Sequence, residues 1–357
     1  MHMALFDDML KDNESLFRNE IALDPEFMPK KVTYRENENQ VIALRIRPLF
    51  QKRNGSNLLI YGPPGIGKTV AVKKVLEELD EVSEEISPIY TNCWQNNSSY
   101  KVALSLCKDL GYQRTVNKHT NELIDAVVSI LNKGSSVLVF DEIDRTADLD
   151  FLYALLEKLY RKTIILITNY KDTLLNVDER IQSRLTPEML EFKPYSLAET
   201  RGVLEQRKEY AFVPEVWEEH AFEEIVNSCY EMKDIRKGLF LMRESGNIAE
   251  ARANKKITVE DARNAINKVK SSSLSNEIDD DSKLIMSVVK EIFDEERIGK
   301  VFELYQERGG NSSYKTFQRK IEKLARDKKI LTRKVLGGIE GTTTIVSKYE
   351  EKKLTDF

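Results

Sequence analysis

The stretch that decides the fold reads Gly62-Pro63-Pro64-Gly65-Ile66-Gly67-Lys68-Thr69. It follows an apolar run from Asn57 to Tyr61, and it precedes a helical pattern from Val70 to Leu79. A strand, a loop of the form G-x-x-x-x-G-K-[ST] and a helix are the context in which backbone N–H groups surround phosphate oxygens. The alternative is a glycine-rich turn between a strand and a helix that binds no ligand.

The residue types in this loop match the parts of a nucleoside triphosphate and its metal ion. Lys68 would place a positive charge between the terminal phosphates, and the hydroxyl of Thr69 would hold Mg²⁺. We therefore predict a site for ATP or ADP together with Mg²⁺. The predicted nucleotide contacts are Gly62, Pro63, Pro64, Gly65, Ile66, Gly67, Lys68, Thr69 and Val70.

A second motif ends in two carboxylates. The run from Ser136 to Phe140 has four consecutive apolar residues with no polar alternation, which predicts a strand buried on both faces of a parallel sheet. Asp141 and Glu142 follow it, at the end of the strand where ligands bind in open α/β sheets. We predict that Asp141 holds Mg²⁺ and that Glu142 deprotonates the water attacking the γ-phosphate. A pair of solvated loop acids is the alternative.

Three polar residues further along the chain are candidates for sensing or completing the nucleotide site. Asn169 follows another apolar run, Thr163 to Thr168, and its amide can reach the attacking water or the γ-phosphate, although it can equally cap a turn. Arg180 and Arg184 lie about one helical turn apart. Either can contact the nucleotide of a neighbouring molecule as an arginine finger, but as isolated surface arginines they would need no explanation.

From Ser196 onward the pattern becomes purely helical. Ser196 to Glu199 has the form of a capping box, Pro214-Glu215 is predicted to open a second helix, and Thr258 to cap a later one. Arg236 lies near the start of a third predicted helix, from where a lid over the nucleotide can bring it to the γ-phosphate. We predict that residues 196–275 form this helical domain.

Charge is distributed unevenly along the chain. The 357 residues carry a formal net charge of −4. From Lys283 to Phe357 there are 17 Lys and Arg against 12 Asp and Glu, a net charge of +5, so residues 1–282 carry −9. Within that last segment, Arg308 to Lys334 has ten basic and two acidic residues. A basic module on an acidic body indicates a local anionic partner, and we predict duplex DNA.

The same segment has the pattern of three helices followed by a hairpin, which predicts a winged helix. On the third helix Tyr314, Phe317, Ile321 and Leu324 recur at helical spacing and are predicted to face the core. The opposite face is almost entirely basic, and basic residues continue into the predicted hairpin. A solvated charged face is the alternative. The predicted DNA contacts are Lys315, Arg319, Lys323, Arg326, Arg333 and Lys334.

Composition excludes several other classes of function. The longest apolar runs, Val137 to Phe140 and Ile164 to Ile167, are only as long as strands, so we predict no membrane partner. Residues 1–11 carry two acidic residues and lack a signal pattern, which predicts a cytoplasmic protein. With DNA as its partner, we predict that it is nucleoid-associated. Three scattered cysteines and three histidines give neither a disulfide framework nor the spacing of a zinc site.

Taken together, the order of these motifs resembles the AAA+ replication initiators, the family of origin-recognition-complex subunits and cell-division-cycle-six proteins in its short archaeal form. The resemblance covers nearly the whole chain. It is carried by Leu23-Asp24-Pro25, Arg35-Glu36, the phosphate loop, Asn92-Cys93, Asp141 to Asp144, Asn169, the Arg180 to Leu185 box, Asp234 to Lys237 and the C-terminal winged helix.

The resemblance implies a fold and a role for each matching residue. The fold is an α/β AAA+ domain with an N-terminal extension at residues 1–195, a helical lid at 196–275 and a winged-helix DNA-binding domain at 283–357. The implied roles are Walker A for Lys68 and Thr69, Walker B for Asp141 and Glu142, sensor 1 for Asn169, sensor 2 for Arg236, and the arginine finger for Arg184 or Arg180.

The implied function is that of an ATP-dependent initiator. Such a protein binds duplex origin DNA, uses ATP binding and slow hydrolysis as a switch, and acts with a replicative helicase or a second initiator subunit. Two alternatives stay open from the sequence. One is a clamp-loader-like or helicase-loading ATPase that binds DNA weakly, and the other is a signalling ATPase whose winged helix is a protein-interaction module.

Overall fold

The computed structural model describes residues 15–175, 177–275, 280–292, 295–326, 329–337 and 341–348, with the side chains of residues 271–280, 334–337 and 341–343 excepted. Residues 1–11, in which no signal pattern is predicted, lie outside the described residues, and so does the side chain of Lys334, a predicted DNA contact. The chain forms two compact units, which divide between Asn267 and Lys268.

The first unit contains a five-stranded parallel sheet, as the apolar runs predict. Its strands are β1 (Leu58–Tyr61), β2 (Ile86–Asn92), β3 (Ser135–Asp141), β4 (Lys162–Thr168) and β5 (Glu188–Glu191). Their order across the sheet is β2-β3-β4-β1-β5, and each neighbouring pair runs parallel. Because the strands are parallel, the residues that follow β1, β3 and β4 meet at one edge of the sheet.

Helices cover both faces of this sheet. They are α1 (Glu36–Ile46), α2 (Lys68–Val82), α3 (Ser99–Asp109), α4 (Thr120–Leu131), α5 (Asp150–Lys158) and α6 (Glu179–Leu185). All seven residues of β3 are buried. Val137 and Val139 pack on the side of α1 and α2, whereas Leu138 and Phe140 pack on the side of α3, α4 and α5. The prediction of a strand buried on both faces is therefore confirmed.

Four helices follow the sheet in the chain. They are α7 (Leu197–Ala211), α8 (Glu219–Met232), α9 (Ile235–Ala251) and α10 (Val259–Ser275). The predicted capping box is present: the Ser196 hydroxyl accepts a hydrogen bond from the Glu199 N–H, and the Glu199 carboxylate accepts one from the Ser196 N–H. A helical lid is confirmed as part of the fold.

The predicted start of the second lid helix at Pro214-Glu215 is wrong, because α8 begins only at Glu219. The intervening segment is held by backbone hydrogen bonds to a distant residue. The Ile257 N–H donates to the Val216 carbonyl at 2.7 Å, and the Glu218 N–H donates to the Ile257 carbonyl at 3.1 Å. These tertiary bonds keep residues 216–218 out of the helix.

The second unit combines three helices with a small antiparallel sheet. Its elements are α11 (Asp280–Glu291), β6 (Glu295–Arg297), α12 (Ile298–Glu307), α13 (Tyr314–Arg326), β7 (Ile330–Gly337) and β8 (Gly341–Lys348). The sheet order is β6-β8-β7. This is the element order predicted for a winged helix, with β7 and β8 as the hairpin and β6 as a strand that the sequence pattern did not reveal. Within the described residues, no helix combines the length and the apolar character that crossing a bilayer needs.

Helix α13 buries most of its predicted core face. Phe317, Ile321 and Leu324 are buried and pack with residues of α11, α12 and β8. Tyr314 is an exception, since it is 41% exposed, and its assignment to the core is wrong. As the first residue of the helix, it contacts the Phe302 ring edge-on at 5.0 Å between centroids and leaves the rest of its own ring in solvent.

The carboxylate of Asp281 ties three elements of the second unit together. It accepts hydrogen bonds from the Lys320 ammonium at 2.7 Å, from the Ser312 hydroxyl and from the hydroxyl of Tyr305, whose side chain is fully buried. Burial by itself raises the pKa of Asp281, but these three donors outweigh burial and hold the pKa at about 2.

Replacing Asp281 with Asn is expected to destabilise the second unit at neutral pH. An Asp pKa below its unfolded value of about 3.9 means that the stabilisation is complete above that pH and is lost as the pH falls towards 2. We expect the variant to lose about 1.5–3 kcal/mol of unfolding free energy at pH 7, the usual contribution of a hydrogen bond to a charged group. Hydrogen exchange of the α12 and α13 amides, corrected for intrinsic rates, measures this loss of unfolding free energy. An equal loss at pH 7 and at pH 2 would contradict this account.

Candidate functional site

The loop between β1 and α2 has backbone conformations that favour glycine. Gly62, Gly65 and Gly67 have φ values of 148°, 73° and 86°. A Cβ atom on Gly62 would lie 2.3 Å from the carbonyl oxygen of Phe192, so no larger residue fits there. Helix α2 begins at Lys68, and the N–H groups of a first helical turn have no carbonyl partners of their own helix. The loop can therefore offer N–H groups and a helix N-terminus to an anion.

The ammonium of Lys68, the first residue of α2, contacts both the phosphate loop and the residue that follows β4. Its ammonium donates to the carbonyls of Gly62 and Pro63 at 2.6 and 2.7 Å, and to Oδ1 of Asn169 at 2.9 Å. Asn169 reaches it because β1 and β4 are neighbours in the sheet. Burial lowers the pKa of Lys68 to about 8. Two residues predicted as nucleotide contacts, Gly62 and Pro63, thus contact the ammonium through their carbonyls.

Asp141 accepts three hydrogen bonds at the end of β3. Its Oδ2 accepts from the hydroxyl of Thr69 at 2.6 Å and from the hydroxyl of Tyr90 at 2.8 Å, and its Oδ1 accepts from the N–H of Glu142 at 2.8 Å. Asp141 is 3% exposed. The two residues that the sequence predicts as metal ligands, Thr69 and Asp141, are therefore in direct contact.

The donor set around Thr69 and Asp141 fits Mg²⁺. A hydroxyl and a carboxylate are the hard oxygen ligands that Mg²⁺ prefers, and this ion usually keeps several waters and binds substrate phosphates as well. In the ranges that the structure describes, no three His, Cys, Asp or Glu side chains are grouped so that they could hold a metal ion. A magnesium ion here would thus depend on phosphate oxygens and water for the rest of its coordination.

Glu142 has a backbone conformation that is uncommon for a residue with a side chain. Its φ and ψ values are 53° and 44°, and a left-handed conformation costs roughly 1–2 kcal/mol for such residues. Burial, and then the negative charges of Asp141 and Asp144, raise the pKa of the Glu142 carboxyl. A raised pKa makes the carboxylate a stronger base, as removal of a proton from water requires.

A cavity of about 470 Å³ opens beside these residues. It is lined by parts of the phosphate loop, by the ends of β3 and β4, by the N-terminal segment and by α7 and α9. The lining residues that the sequence predicts are Pro64, Gly65, Ile66, Gly67, Lys68, Thr69, Val70, Asp141, Glu142, Asn169 and Arg236. The structure therefore brings together, at one cavity, most of the residues predicted to bind or hydrolyse a nucleotide.

Sequence reasoning missed two features of this cavity. Tyr90 lines the cavity and donates a hydrogen bond to Asp141. The sequence could have indicated it, because Tyr90 lies two residues before Asn92 in a strand and their side chains therefore share a face. The second feature is the N-terminal segment at Pro25, Met28 and Val32, which lines the cavity with apolar side chains. Leu23-Asp24-Pro25 contributes to the family resemblance, but its residue types alone do not predict this contact.

Arg35 fastens the end of the N-terminal segment to the phosphate loop. Its guanidinium donates to the carbonyls of Ile66 and Lys193 at 2.9 and 2.8 Å. It also lies over the ring of Tyr195, 4.0 Å from the centroid. Arg35 is 4% exposed, so its contribution is to hold the loop in place.

Arg236 reaches the cavity from the first turn of α9. Its guanidinium is held by the carboxylate of Asp234, with Nε and Nη2 donating at 3.0 and 2.8 Å. Helix α9 therefore presents a cation to the same cavity as Lys68, as predicted for a lid residue.

Arg180 and Arg184 lie on α6 and do not line this cavity. Both guanidinium groups lie over the ring of Tyr153, at 5.5 and 4.9 Å from its centroid. Arg180 is also paired with Asp178 at 2.7 Å, and Arg184 with Glu157 at 3.4 Å. The two arginines share one surface, and the contacts do not distinguish which of them would act on a neighbouring molecule.

In the second unit, the predicted DNA contacts lie on the exposed face of α13 and on β7. Lys315, Arg319, Lys323 and Arg326 are all exposed. Arg333, also exposed, is paired with Glu295 at 3.1 Å. The exposed basic face is opposite the buried Phe317, Ile321 and Leu324, as the helical spacing predicts.

The sheet order, the phosphate loop, the paired carboxylates and the helical lid together define a AAA+ ATPase. Two family models agree: residues 51–192 match the AAA domain, and residues 201–267 match the Cdc6 AAA+ ATPase-type lid domain.

Whole-chain comparisons narrow the class. The chain is 30% identical over 305 residues to the ORC1-type DNA replication protein of Methanocorpusculum labreanum, covering 76% of this chain and 70% of that one. It is 26% identical over 356 residues to ORC1-type DNA replication protein 2 of Methanothermobacter thermautotrophicus, covering 95% and 93%. The structure of Aeropyrum pernix ORC1 in complex with DNA superposes with a TM-score of 0.69, at 26% identity and 95% coverage of both chains. The chain belongs to the family of ORC1-type DNA replication proteins.

Proposed function

We propose that this chain is an ATP-dependent DNA replication initiator that binds duplex origin DNA through its second unit. The observation that carries the proposal is the exposed face of α13, where four basic residues lie opposite a buried apolar face. A helix of this kind can enter the major groove while its cations contact phosphates. The relative from Aeropyrum pernix is described as a complex with DNA, which supports the same partner here.

ATP would act as the switch in this initiator. Lys68 and the phosphate loop would hold the phosphates, Thr69 and Asp141 would hold Mg²⁺, and the ion would neutralise charge on the phosphates. Glu142 would take a proton from a water molecule that Asn169 helps to orient. Arg236 would contact the γ-phosphate, so that the lid distinguishes ATP from ADP. We propose slow hydrolysis, which returns the protein to its ADP-bound state.

The domain limits and partners remain part of the proposal. Residues 1–195 would be the ATPase domain with its extension, residues 196–275 the lid and residues 283–357 the winged-helix domain. Arg184, or alternatively Arg180, would contact the nucleotide of a second initiator subunit, and a replicative helicase is a further partner. The proposed location is the cytoplasm, on the chromosomal DNA of the nucleoid.

The second candidate is a AAA+ loader or signalling ATPase whose winged helix binds a protein. The pairing of Arg333 with Glu295 favours it locally, because a neutralised cation contributes less to phosphate binding. The four exposed cations on α13, at Lys315, Arg319, Lys323 and Arg326, favour DNA instead. The two candidates differ in one property, the salt dependence of duplex binding.

Replacing Arg319 and Lys323 together with Ala is expected to weaken duplex binding. Each phosphate that loses its cation lowers the slope of log affinity against log salt by about 0.9, so we expect the slope to fall by about 2. Fluorescence anisotropy with a labelled duplex, at several salt concentrations, measures both quantities.

Lys300→Ala is the matched control, because it removes a cation of the same unit that is already paired with Glu296 at 3.1 Å. We expect this variant to keep the wild-type slope. If the double variant also keeps it, the α13 face is a solvated surface and the protein-interaction candidate is favoured.

A further inference from the structure

The carboxylate of Asp234 lies between the phosphate loop and the guanidinium of Arg236. Asp234 is the residue before α9, and its side chain accepts the N–H of Arg236 at 3.0 Å. The same carboxylate accepts Nε and Nη2 of Arg236. It also packs against Gly65, where a Cβ atom would lie 1.8 Å from Oδ1 of Asp234. One carboxylate therefore caps a helix, holds a guanidinium and contacts the phosphate loop.

A backbone hydrogen bond fixes this arrangement in place. The N–H of Ile235 donates to the carbonyl of Gly65 at 3.0 Å. The first turn of α9 is thus fastened to the loop that would bind phosphate. The side chain of Asp234 is 13% exposed, and Asp234 does not line the cavity. The groups that Asp234 holds, rather than Asp234 itself, therefore contact a ligand in the cavity.

One edge of the Arg236 guanidinium donates to Asp234, and the other edge has no such partner among the described residues. Nε and Nη2 donate to Asp234, and in the part of the chain that the structure describes no acceptor contacts Nη1. Arg236 lines the same cavity as Lys68. The carboxylate thus fixes the plane of the guanidinium and leaves its other edge for an anion.

We propose that Asp234 is a positioning residue that sets the preference of this site for a nucleoside triphosphate over a diphosphate. This inference rests on the proposed function. An arginine already held in its binding orientation loses less side-chain freedom when the γ-phosphate arrives. A diphosphate has no γ-phosphate, so its binding does not gain from the orientation of Arg236. The preference therefore depends on Asp234 acting through Arg236.

Asp234→Asn is the decisive variant. Asn is as good a helix N-cap as Asp, so the start of α9 is kept, but the second acceptor and the negative charge are lost. We expect the ratio of the ADP and ATP dissociation constants to fall by roughly fivefold to tenfold, mainly through weaker ATP binding. Calorimetric titration of the intact chain with MgATP and with MgADP measures this ratio. Asp234→Ser, which keeps a capping hydroxyl but cannot hold the guanidinium, should give the same loss.

The chain contains a matched control. Glu224 holds the guanidinium of Arg263 by the same edge, with Nε and Nη2 of Arg263 donating to its carboxylate at 3.3 and 2.8 Å. Neither residue lines the nucleotide cavity. Glu224→Gln should leave the ratio of the ADP and ATP dissociation constants unchanged, which would show that loss of such a pair elsewhere has no effect.

A double-mutant cycle tests the route of the effect. In an Arg236→Ala background, Asp234→Asn should change the ratio no further, because the residue through which it acts is gone. An unchanged ratio in the single variant would overturn the inference, and so would tighter ATP binding, which would mean that Asp234 competes with the γ-phosphate. If the wild-type chain bound neither nucleotide, the proposed function itself would fail; if it preferred ATP and Asp234→Asn kept that preference, only this inference would fail.

Discussion

Lys68→Ala is expected to abolish measurable ATP binding. The ammonium contacts two carbonyls of the phosphate loop and the side chain of Asn169, so it already has three oxygen partners within 2.9 Å. A hydrogen bond to a charged group contributes about 1.5–3 kcal/mol. Loss of contacts to two phosphates should therefore weaken binding by roughly 10²–10⁴-fold. Calorimetric titration with MgATP provides the measurement.

The control for this variant is on the same helix. Lys74 is two turns along α2, where it pairs with Glu77 at 2.7 Å, and it does not line the cavity. Lys74→Ala should keep the wild-type ATP affinity. Unchanged affinity in Lys68→Ala would mean that the loop is only a turn between a strand and a helix.

Glu142→Gln is expected to stop ATP hydrolysis while leaving ATP bound. Gln keeps the size of the side chain but cannot accept a proton from water, and general-base catalysis contributes about 10²–10⁴-fold to a rate. We expect turnover to fall by that factor and the MgATP dissociation constant to change by less than about threefold, since Glu142 holds no phosphate in this account. Single-turnover hydrolysis of labelled ATP, followed beside the binding titration, separates the two effects.

Glu77→Gln is the matched control, because it removes one carboxylate from the outer surface of α2. Its turnover should equal that of the wild type. If Glu142→Gln still hydrolyses ATP at the wild-type rate, a different residue activates the water and the role given to Glu142 is wrong.

Much of the nucleotide site could be predicted because parallel strands bring distant sequence positions to one edge. Lys68 donates to Asn169 across 101 positions of the chain, and Thr69 donates to Asp141 across 72. Buried strands without polar alternation identify the sheet, and their C-terminal residues then identify the site.

The features that could not be predicted depend on tertiary contacts. The sequence pattern misplaces the start of α8 because Ile257, far along the chain, pairs with residues 216–218. Strands β5 and β6 are only four and three residues long, too short for a periodic pattern. Helix α5 begins without a capping hydrogen bond to the side chain of its N-cap residue, so the sequence does not reveal its start. Its position becomes clear only from its apolar side chains, which pack in the core beside α3 and α4.

The contacts around Asp234 illustrate the same limit within the site. The motif predicts Arg236 as a lid cation, but only the packing of α9 on Gly65 reveals how its guanidinium is oriented. Likewise, spacing predicts the buried face of α13, whereas the exposure of Tyr314 depends on how its ring meets Phe302. Periodicity assigns residues to faces, and packing decides how completely each one is covered.

The measurement that tests the central claim most directly is duplex binding by the intact chain with MgATP and with MgADP. The duplexes would be genomic fragments, including DNA that flanks the gene for this chain, and random duplexes of equal length at several salt concentrations. We expect tighter binding to particular genomic fragments, a steep loss of affinity as salt rises, and a difference between the two nucleotides. Absence of duplex binding at low salt with either nucleotide would contradict the account.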